Sequence, residues 1–290
     1  MNDITNAQTQ DIIYALAAAN GTIFAGRTSG AYASSDGGKT WHNIFEAKPE
    51  LHGVAVTALA AREDRMIAGI AGAAACSSDG GKSWQVVGLA SPPPLLVDIV
   101  LAPHNVELVL AGTADDGVFV STDGGGSWVA WNFGLVDLKV NCLAIAPDHA
   151  VFAGTESGIF RSHNGGKSWR DLPFPMDAAP VLSVAFTASR VFAGTEASGL
   201  FYADHSGTDW SAVPDLPMPQ SEAIHAIVPN GNNVLILTDH HLLHLQADDL
   251  THRVLDHFPE RQAISLTQTE QDVFIGFVDG AIESRNKDYR

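Results

Sequence analysis

The sequence predicts an all-β fold: a seven-bladed β-propeller of four-stranded antiparallel blades, with the last blade closed by the N-terminal strand. Three observations lead to this fold. An eight-residue motif recurs along the chain, a second marker recurs at the same interval, and short apolar runs alternate with turn residues throughout. A period of about 40–45 residues is typical of propeller blades, each of which is a four-stranded sheet.

The first marker is an octet that reads SSDGGKTW at Ser34–Trp41. Close copies occupy Ser77–Trp84 and Ser121–Trp128, the second with glycine in place of the lysine. Ser162–Trp169 has asparagine in place of the aspartate, and a degenerate copy covers Ala203–Trp210. The tryptophans therefore recur about every 42 residues, which is one blade length.

The second marker is a short apolar strand that ends in Ala-Gly and precedes each octet. It continues where the octet has been lost, at Leu235–Leu237 and Phe274–Gly276, so seven repeats are visible. The five earlier copies are Phe24–Gly26, Ile67–Gly69, Leu110–Gly112, Phe152–Gly154 and Phe192–Gly194. The predicted blades are residues 11–52, 53–94, 95–137, 138–179, 180–221, 222–261 and 262–290 together with 1–10.

Within a repeat, apolar runs such as Val140–Ile145 and Val151–Ala153 are separated by Gly, Asn, Asp and Pro, and helical periodicity is absent. Asn20-Gly21 predicts a two-residue hairpin, because both residues tolerate positive φ. The last repeat is short: after Ala281–Ser284, residues 285–290 are too few for a turn and a fourth strand. We expect Asp3–Gln10 to supply that outer strand, which would remove an exposed sheet edge.

The octets resemble the Asp-box, or BNR, repeat, whose pattern is Ser/Thr-x-Asp-x-Gly-x-x-Trp. The resemblance spans nearly the whole chain as a periodic architecture and implies that each octet is the hairpin between the third and fourth strands of a blade. It also implies that these hairpins lie opposite the ligand-binding face. An aspartate there accepts turn amides, and the indole packs into the sheet. The structural residues expected on this basis are Asp36, Trp41, Asp79, Trp84, Asp123, Trp128, Asn164, Trp169 and Trp210.

The formal net charge of −17 argues against nucleic acid and anionic lipid as partners, because binding would bring like charges together. Protein or peptide partners, including basic ones, and small ligands stay open, as does a purely solubilising role for the acid. No apolar run reaches the roughly 18 residues of a membrane helix, and the start MNDITNAQTQ is polar, so we expect a cytoplasmic protein without membrane insertion. Cys76 and Cys142 are interpreted as small buried side chains.

Two motifs imitate chemical sites. Gly38-Lys39-Thr40 and its copies end like a phosphate-binding loop, but the required earlier glycine is missing and the motif recurs at the blade period. Asp239-His240-His241 with His244 suggests a metal site, yet on a strand His241 and His244 point to opposite faces, and no third ligand is evident. We therefore predict neither a metal nor any other cofactor.

Candidate recognition residues emerge when the repeats are aligned. The second residue of each innermost strand is expected near the mouth of the central channel. These positions differ from blade to blade, as a binding surface requires: Tyr14, Thr57, Asp98, Asn141, Leu182, His225 and Ile264. The loops after the Ala-Gly strands are expected on the same face and make it acidic: they contribute Arg27, Asp115, Asp116, Glu156, Glu196, Asp239 and Asp279.

Two functions follow from these candidates. Sialidases, which share the Asp-box, need three arginines and a nucleophilic tyrosine, whereas only Arg27 and Tyr14 fall at the predicted mouth. The chain is closer in style to the photosystem II assembly and stability factors and to sortilin-type propellers, which implies protein binding. We expect a non-enzymatic scaffold or assembly protein. The alternative is a glycoside hydrolase with paired carboxylates, such as Asp98 and Glu156.

Overall fold

The computed structural model describes residues 11–46, 55–175, 177 and 180–287. Over this part of the chain the backbone forms 27 β-strands in seven sheets. Neighbouring strands pair antiparallel in chain order, and a search of these residues for a helix with the length and hydropathy of a membrane span finds none. The predicted seven-bladed β-propeller is confirmed.

The first three blades are complete four-stranded sheets. Their strands are β1 Ile13–Ala19, β2 Thr22–Arg27, β3 Gly30–Ser34 and β4 His42–Phe45; β5 Ala58–Arg62, β6 Arg65–Ile70, β7 Ala73–Ser77 and β8 Gln85–Gly88; and β9 Leu96–Leu101, β10 Val109–Thr113, β11 Val118–Ser121 and β12 Val129–Ala130.

The next three blades repeat the pattern, and the seventh has three strands among the described residues. The strands are β13 Val140–Ile145, β14 Val151–Thr155, β15 Ile159–Ser162 and β16 Arg170–Asp171; β17 Val181–Phe186, β18 Val191–Thr195, β19 Leu200–Ala203 and β20 Ser211–Ala212; β21 Ile224–Asn230, β22 Asn233–Thr238, β23 His241–Gln246 and β24 His252–His257; and β25 Ala263–Gln268, β26 Asp272–Phe277 and β27 Ile282–Asn286. The predicted closing strand falls on residues 1–10, which lie outside the described residues.

Hydrophobic clusters between adjacent blades form the core. One cluster joins Phe24 and Phe45 of the first blade to Val56 and Met66 of the second. The ring closes in the same way, because Ile13 and Ile23 of the first blade pack with Phe274 of the seventh. Each blade is therefore stabilised mainly by its two neighbours, as in other repeat folds.

The Ala-Gly marker has a packing reason. A Cβ atom added to Gly69 would lie 2.9 Å from the Cβ of Leu96, and one added to Gly276 would lie 2.6 Å from Cγ2 of Ile13. At these positions the second strand touches the large residue that begins the innermost strand of the next blade, so only glycine fits. The sixth blade reverses the combination: Leu237 takes the glycine position and Ala263 the large one, and both are fully buried in one cluster.

The octets form the hairpins between the third and fourth strands. Asp36 Oδ1 accepts hydrogen bonds from the amides of Lys39 and Thr40, both at 3.0 Å, and Oδ2 accepts one from the Thr40 hydroxyl at 2.6 Å. These bonds hold the pKa of Asp36 well below its ordinary value. Asn164 keeps the same arrangement without charge, with its Oδ1 2.9 Å from the Ser168 amide and its Nδ2 donating to the Ser168 hydroxyl.

The two ends of the ring carry different loops because the strands of a blade alternate in direction. At one end, which we call the channel face, the innermost strand begins, the second strand passes to the third, and one blade connects to the next. The octet hairpins lie at the opposite end. The sequence-predicted recognition loops therefore lie on the channel face, away from the octets.

Candidate functional site

Most innermost strands begin with a β-bulge at the channel face. Tyr14, Asn141, Leu182, His225 and Ile264 are each an extra residue in the ladder, skipped between two paired neighbours. A bulge bends the strand and re-aims the side chain that it carries. Five of the seven channel positions predicted from the alignment thus share one backbone feature that separates them from the regular sheet.

The third blade differs from the sequence alignment. There the extra residue is Val97, and Asp98 pairs with Gly112 as Cys142 pairs with Gly154 in the fourth blade. Leu96, which is fully buried, takes the core position at the start of the strand, and this sets the register. Asp98 therefore lies one residue further along its strand than the alignment with Asn141 predicts.

Side chains in, or directly before, the innermost strands link neighbouring blades. The Thr57 hydroxyl donates to the carbonyl oxygen of Leu96 at 2.6 Å, and Asp98 Oδ2 accepts from the Leu143 amide at 2.7 Å. Ser183 and Ser265 donate in the same manner to Ile224 and Ile13, both at 3.0 Å. Thr57 and Asp98, both predicted to bind a ligand, thus form hydrogen bonds between neighbouring blades.

Asp98 is a carboxylate at the joint between the third and fourth blades. Burial raises its pKa to about 6, although the amides of Leu143 and Ile99 counteract part of that shift by hydrogen bonding to the charged form. The nearby Cys142 thiol is buried, and burial together with the Asp98 charge raises its pKa. A thiol in this environment stays protonated and is a poor nucleophile.

The loops between the second and third strands make the channel face acidic. Asp115, Asp116, Glu156, Glu196 and Asp279 are all exposed. Glu156 Oε1 accepts a hydrogen bond from Asn141 Nδ2 at 3.1 Å, so this loop is joined to a bulged channel residue.

Arg27, which the sequence placed at the mouth, and Arg261, which lies in a connection on the same face, are each paired with a carboxylate. Arg27 Nη1 lies 3.3 Å from Asp11 Oδ2, and its guanidinium lies 5.0 Å from the ring centre of Tyr32. Arg261 binds Asp279 through Nε at 2.6 Å and Nη2 at 3.0 Å. Neither guanidinium offers the open clamp that a bound carboxylate needs.

His225 and Asp239 form a dyad at the channel end of the sixth blade. His225 Nε2 lies 3.0 Å from Asp239 Oδ1, and the same carboxylate accepts from Gln262 Nε2 at 2.7 Å and from the Ala223 amide at 3.0 Å. Burial acts to raise the pKa of Asp239, but these hydrogen bonds outweigh it and hold the pKa below its ordinary value. The carboxylate is therefore charged and orients the imidazole.

Sequence reasoning missed Glu222, a buried carboxylate beside this dyad. It accepts hydrogen bonds from the Thr238 hydroxyl and, at 2.9 Å, from His241 Nδ1. His240 Nδ1 is within hydrogen-bond distance of two carbonyl oxygens, those of Phe258 and Arg261. His240 and His241 are thus engaged elsewhere, and in the described residues no group of three or more His, Cys, Asp or Glu side chains is arranged to hold a metal ion.

Sequence reasoning also missed two exposed apolar residues on the connection from the third to the fourth blade. Phe133 is 81 % exposed and Val136 is 83 % exposed. The available signal was an apolar residue on either side of Gly134-Leu135, in a segment otherwise rich in turn formers. Only the structure separates these two from Leu135, which is buried.

Neither a protein-family model nor a curated protein matches the sequence. Solved structures do. YCF48 bound to a D1 peptide superposes with a TM-score of 0.76 at 16% identity, over 97% of this chain and 93% of that chain. YCF48 from Cyanidioschyzon merolae gives 0.73 at 14% identity, over 97% of both chains.

A xyloglucanase of the GH74 type from Xanthomonas campestris gives a TM-score of 0.77 at 14% identity, over 96% of this chain. The match spans 52% of the xyloglucanase, so this chain corresponds to about half of that enzyme. What these proteins share with the chain is the fold. At such low identity neither peptide binding nor glycoside hydrolysis transfers with it.

Proposed function

We propose that this propeller is a non-enzymatic scaffold or assembly protein that holds a protein, peptide or small ligand on its acidic channel face. The observation that carries the proposal is the division of labour among the predicted residues. Thr57 and Asp98 hydrogen-bond across the joints between blades, whereas Asp115, Glu156 and Glu196 are exposed on loops held by a rigid ring. Loops that a rigid scaffold positions are common recognition sites.

The likeness to YCF48 bound to a D1 peptide supports this proposal, because that propeller matches over nearly its full length and carries a peptide. The sign of the charge supports a different kind of partner here. Exposed carboxylates favour a partner with lysine or arginine at the contact, since like-charge pairs disfavour association.

The alternative is a glycoside hydrolase, and the likeness to the GH74 xyloglucanase is the observation in its favour. Such an enzyme needs one carboxyl group to donate a proton and another as nucleophile or base. Asp98, with its pKa of about 6, would suit the acid, but both of its oxygens accept backbone amides. Glu156 is engaged with Asn141. These contacts make the alternative the weaker proposal.

A charge-reversal experiment tests the binding proposal. The protein is used as bait in a pulldown, and we expect a stoichiometric partner that is released by Glu156→Lys combined with Glu196→Lys. The matched control reverses Glu107 and Glu270, which are exposed in turns at the opposite end of the ring. Release by the control pair as well would show that net charge alone matters. Hydrolysis of aryl glycosides that disappears in Asp98→Asn would refute the non-enzymatic reading.

A further inference from the structure

The exposed apolar side chains on the connection between the third and fourth blades belong to an ordered segment. The Leu135 amide donates to the Asn132 carbonyl at 3.0 Å, closing a turn, and the Trp169 amide donates to the Phe133 carbonyl at 2.8 Å. Leu135 itself is buried in the core between these blades. The buried Leu135 side chain thus anchors the turn in the core. Phe133 and Val136, close to it in the chain, are exposed to solvent.

Phe133 thus lies beside Trp169, the last residue of the fourth octet, whereas the C-terminal part of the segment is tied to both neighbouring loops of the channel face. The Gly117 amide donates to the Leu138 carbonyl at 2.9 Å, and Asp137 Oδ2 accepts from the Ser157 amide at 2.8 Å. On the other side, the Ala114 amide donates to the carbonyl of Leu95, a residue that is 48 % exposed. We call these hydrogen-bonded segments the blade 3–4 surface; their exposed apolar members are Leu95, Phe133, Val136 and Leu138.

Carboxylates border the blade 3–4 surface. Asp115 and Asp116 lie in the loop that follows β10, and this loop bonds to the carbonyl oxygens of Leu95 and Leu138. Glu156 lies in the corresponding loop of the fourth blade. Asp137 lies between Val136 and Leu138 in the chain. Its carboxylate accepts hydrogen bonds from the amides of Lys139 and Ser157, and these bonds favour its charged form. Lys139 is exposed in the same segment, and Lys167 and Arg170 lie on the side of Phe133. Around Val136 and Leu138 the four carboxylates outnumber Lys139, so this part of the surface combines apolar side chains with an excess of negative charge.

We propose that the blade 3–4 surface binds a peptide segment of a partner protein in which apolar side chains alternate or cluster with lysine and arginine. This rests on the proposed binding function and names the site and the chemistry of the partner. An aromatic side chain presented on an ordered turn is a favourable anchor, because little conformational entropy remains to be lost on binding. The surrounding carboxylates select basic residues beside the apolar contact.

Charge argues against two other occupants. A second copy of the chain would bring identical carboxylates together at the same surface, and like charges in contact disfavour association. Insertion of Phe133 into an anionic bilayer would meet the same repulsion from a protein with a net charge of −17. A basic, partly apolar peptide satisfies both features of the surface at once.

The probe is a displayed library of random short peptides selected on the intact protein. We expect the enriched peptides to combine aromatic or aliphatic residues with lysine or arginine. The binding of one such synthetic peptide, followed by fluorescence anisotropy, should weaken about tenfold or more in Phe133→Ala and Val136→Ala. Phe133→Leu should recover most of the affinity. Val254→Ala, which truncates an exposed valine of the sixth blade, is the matched control and should leave binding unchanged.

The other outcomes separate the two proposals. Peptides that bind regardless of Phe133 and Val136, but not after Glu196→Lys, would overturn the blade 3–4 surface and leave the binding function standing. A library that enriches no peptide would count against both. Sedimentation as a dimer that Phe133→Ala converts to monomer, or cosedimentation with phosphatidylcholine vesicles that Phe133→Ala abolishes, would replace the peptide by a second copy or by a membrane.

Discussion

At the scale of single residues, the raised pKa of Asp98 makes the stability of the protein depend on pH. Its carboxyl group has a pKa of about 6 in the folded protein, against an ordinary value of 3.8. Between these values the folded state holds a proton that the unfolded state has released. The contribution of Asp98 to the free energy of unfolding therefore falls as the pH rises from about 4 to about 6 and is constant above that.

The variant Asp98→Asn isolates this effect, because it cannot titrate. We measure the unfolding free energies of the wild type and of Asp98→Asn by urea titration. As the pH is raised from about 4 to about 6, we expect the wild type to lose stability relative to Asp98→Asn. Subtraction of the two profiles cancels the other carboxylates, which titrate in both proteins. Parallel profiles from pH 4 to pH 7 would contradict the assignment.

A second residue-scale prediction concerns the reversed packing of Leu237 and Ala263. Leu237→Gly should cost about 3–5 kcal/mol, because it leaves a cavity and adds backbone freedom. Ala263→Val should cost about 1–3 kcal/mol by overpacking against Leu237. The double variant restores the glycine and valine combination of the first two blades, so it should be more stable than the sum of the single effects by about 1–3 kcal/mol. Additive single effects in urea unfolding would refute the pairing.

At the scale of elements, the seventh blade has three strands among the described residues, one fewer than each of the other six. Among the described residues, β27 pairs with β26 on one side and has no strand on its outer side. Exposed edges of this kind are usually covered in natural proteins. The sequence predicts that Asp3–Gln10 supply the cover, and these residues lie outside the described part of the chain.

Deletion of residues 1–10 tests that prediction. If they complete the seventh blade, the melting temperature should fall by several degrees, because β27 would lose the strand that pairs with its outer edge. A variant in which the ten residues are replaced by a glycine and serine sequence of equal length controls for chain length and should melt like the deletion. A melting temperature of the deletion variant equal to that of the wild type would contradict the prediction.

At the scale of the whole molecule, the period of the sequence was sufficient to predict the architecture. The tryptophans of the octets and the Ala-Gly strands repeat because each blade must present the same contacts to its neighbours, so the number of blades can be counted from the sequence. The glycines at positions such as Gly69 and Gly276 are the clearest case, since the next blade leaves no space for a Cβ atom.

The candidate site was less predictable, because it depends on where the ladder shifts and on which loops meet. The alignment placed Asp98 with the bulged residues, whereas burial of Leu96 moves the bulge to Val97. The contact between Glu222 and His241 joins residues 19 positions apart, and no local pattern marks it. The exposure of Phe133 likewise follows from the three-dimensional course of a connection and not from its composition.

The reversed combination at Leu237 and Ala263 also bears on how the ring finds its correct order during folding. The other junctions are built from a glycine and a bulky aliphatic residue, so a blade could dock on a wrong neighbour with little penalty. At the junction of the sixth and seventh blades a mismatched neighbour meets either a clash with leucine or a void beside alanine. We therefore expect the Leu237 and Ala263 pair to favour docking of the sixth blade on the seventh over docking on any other blade.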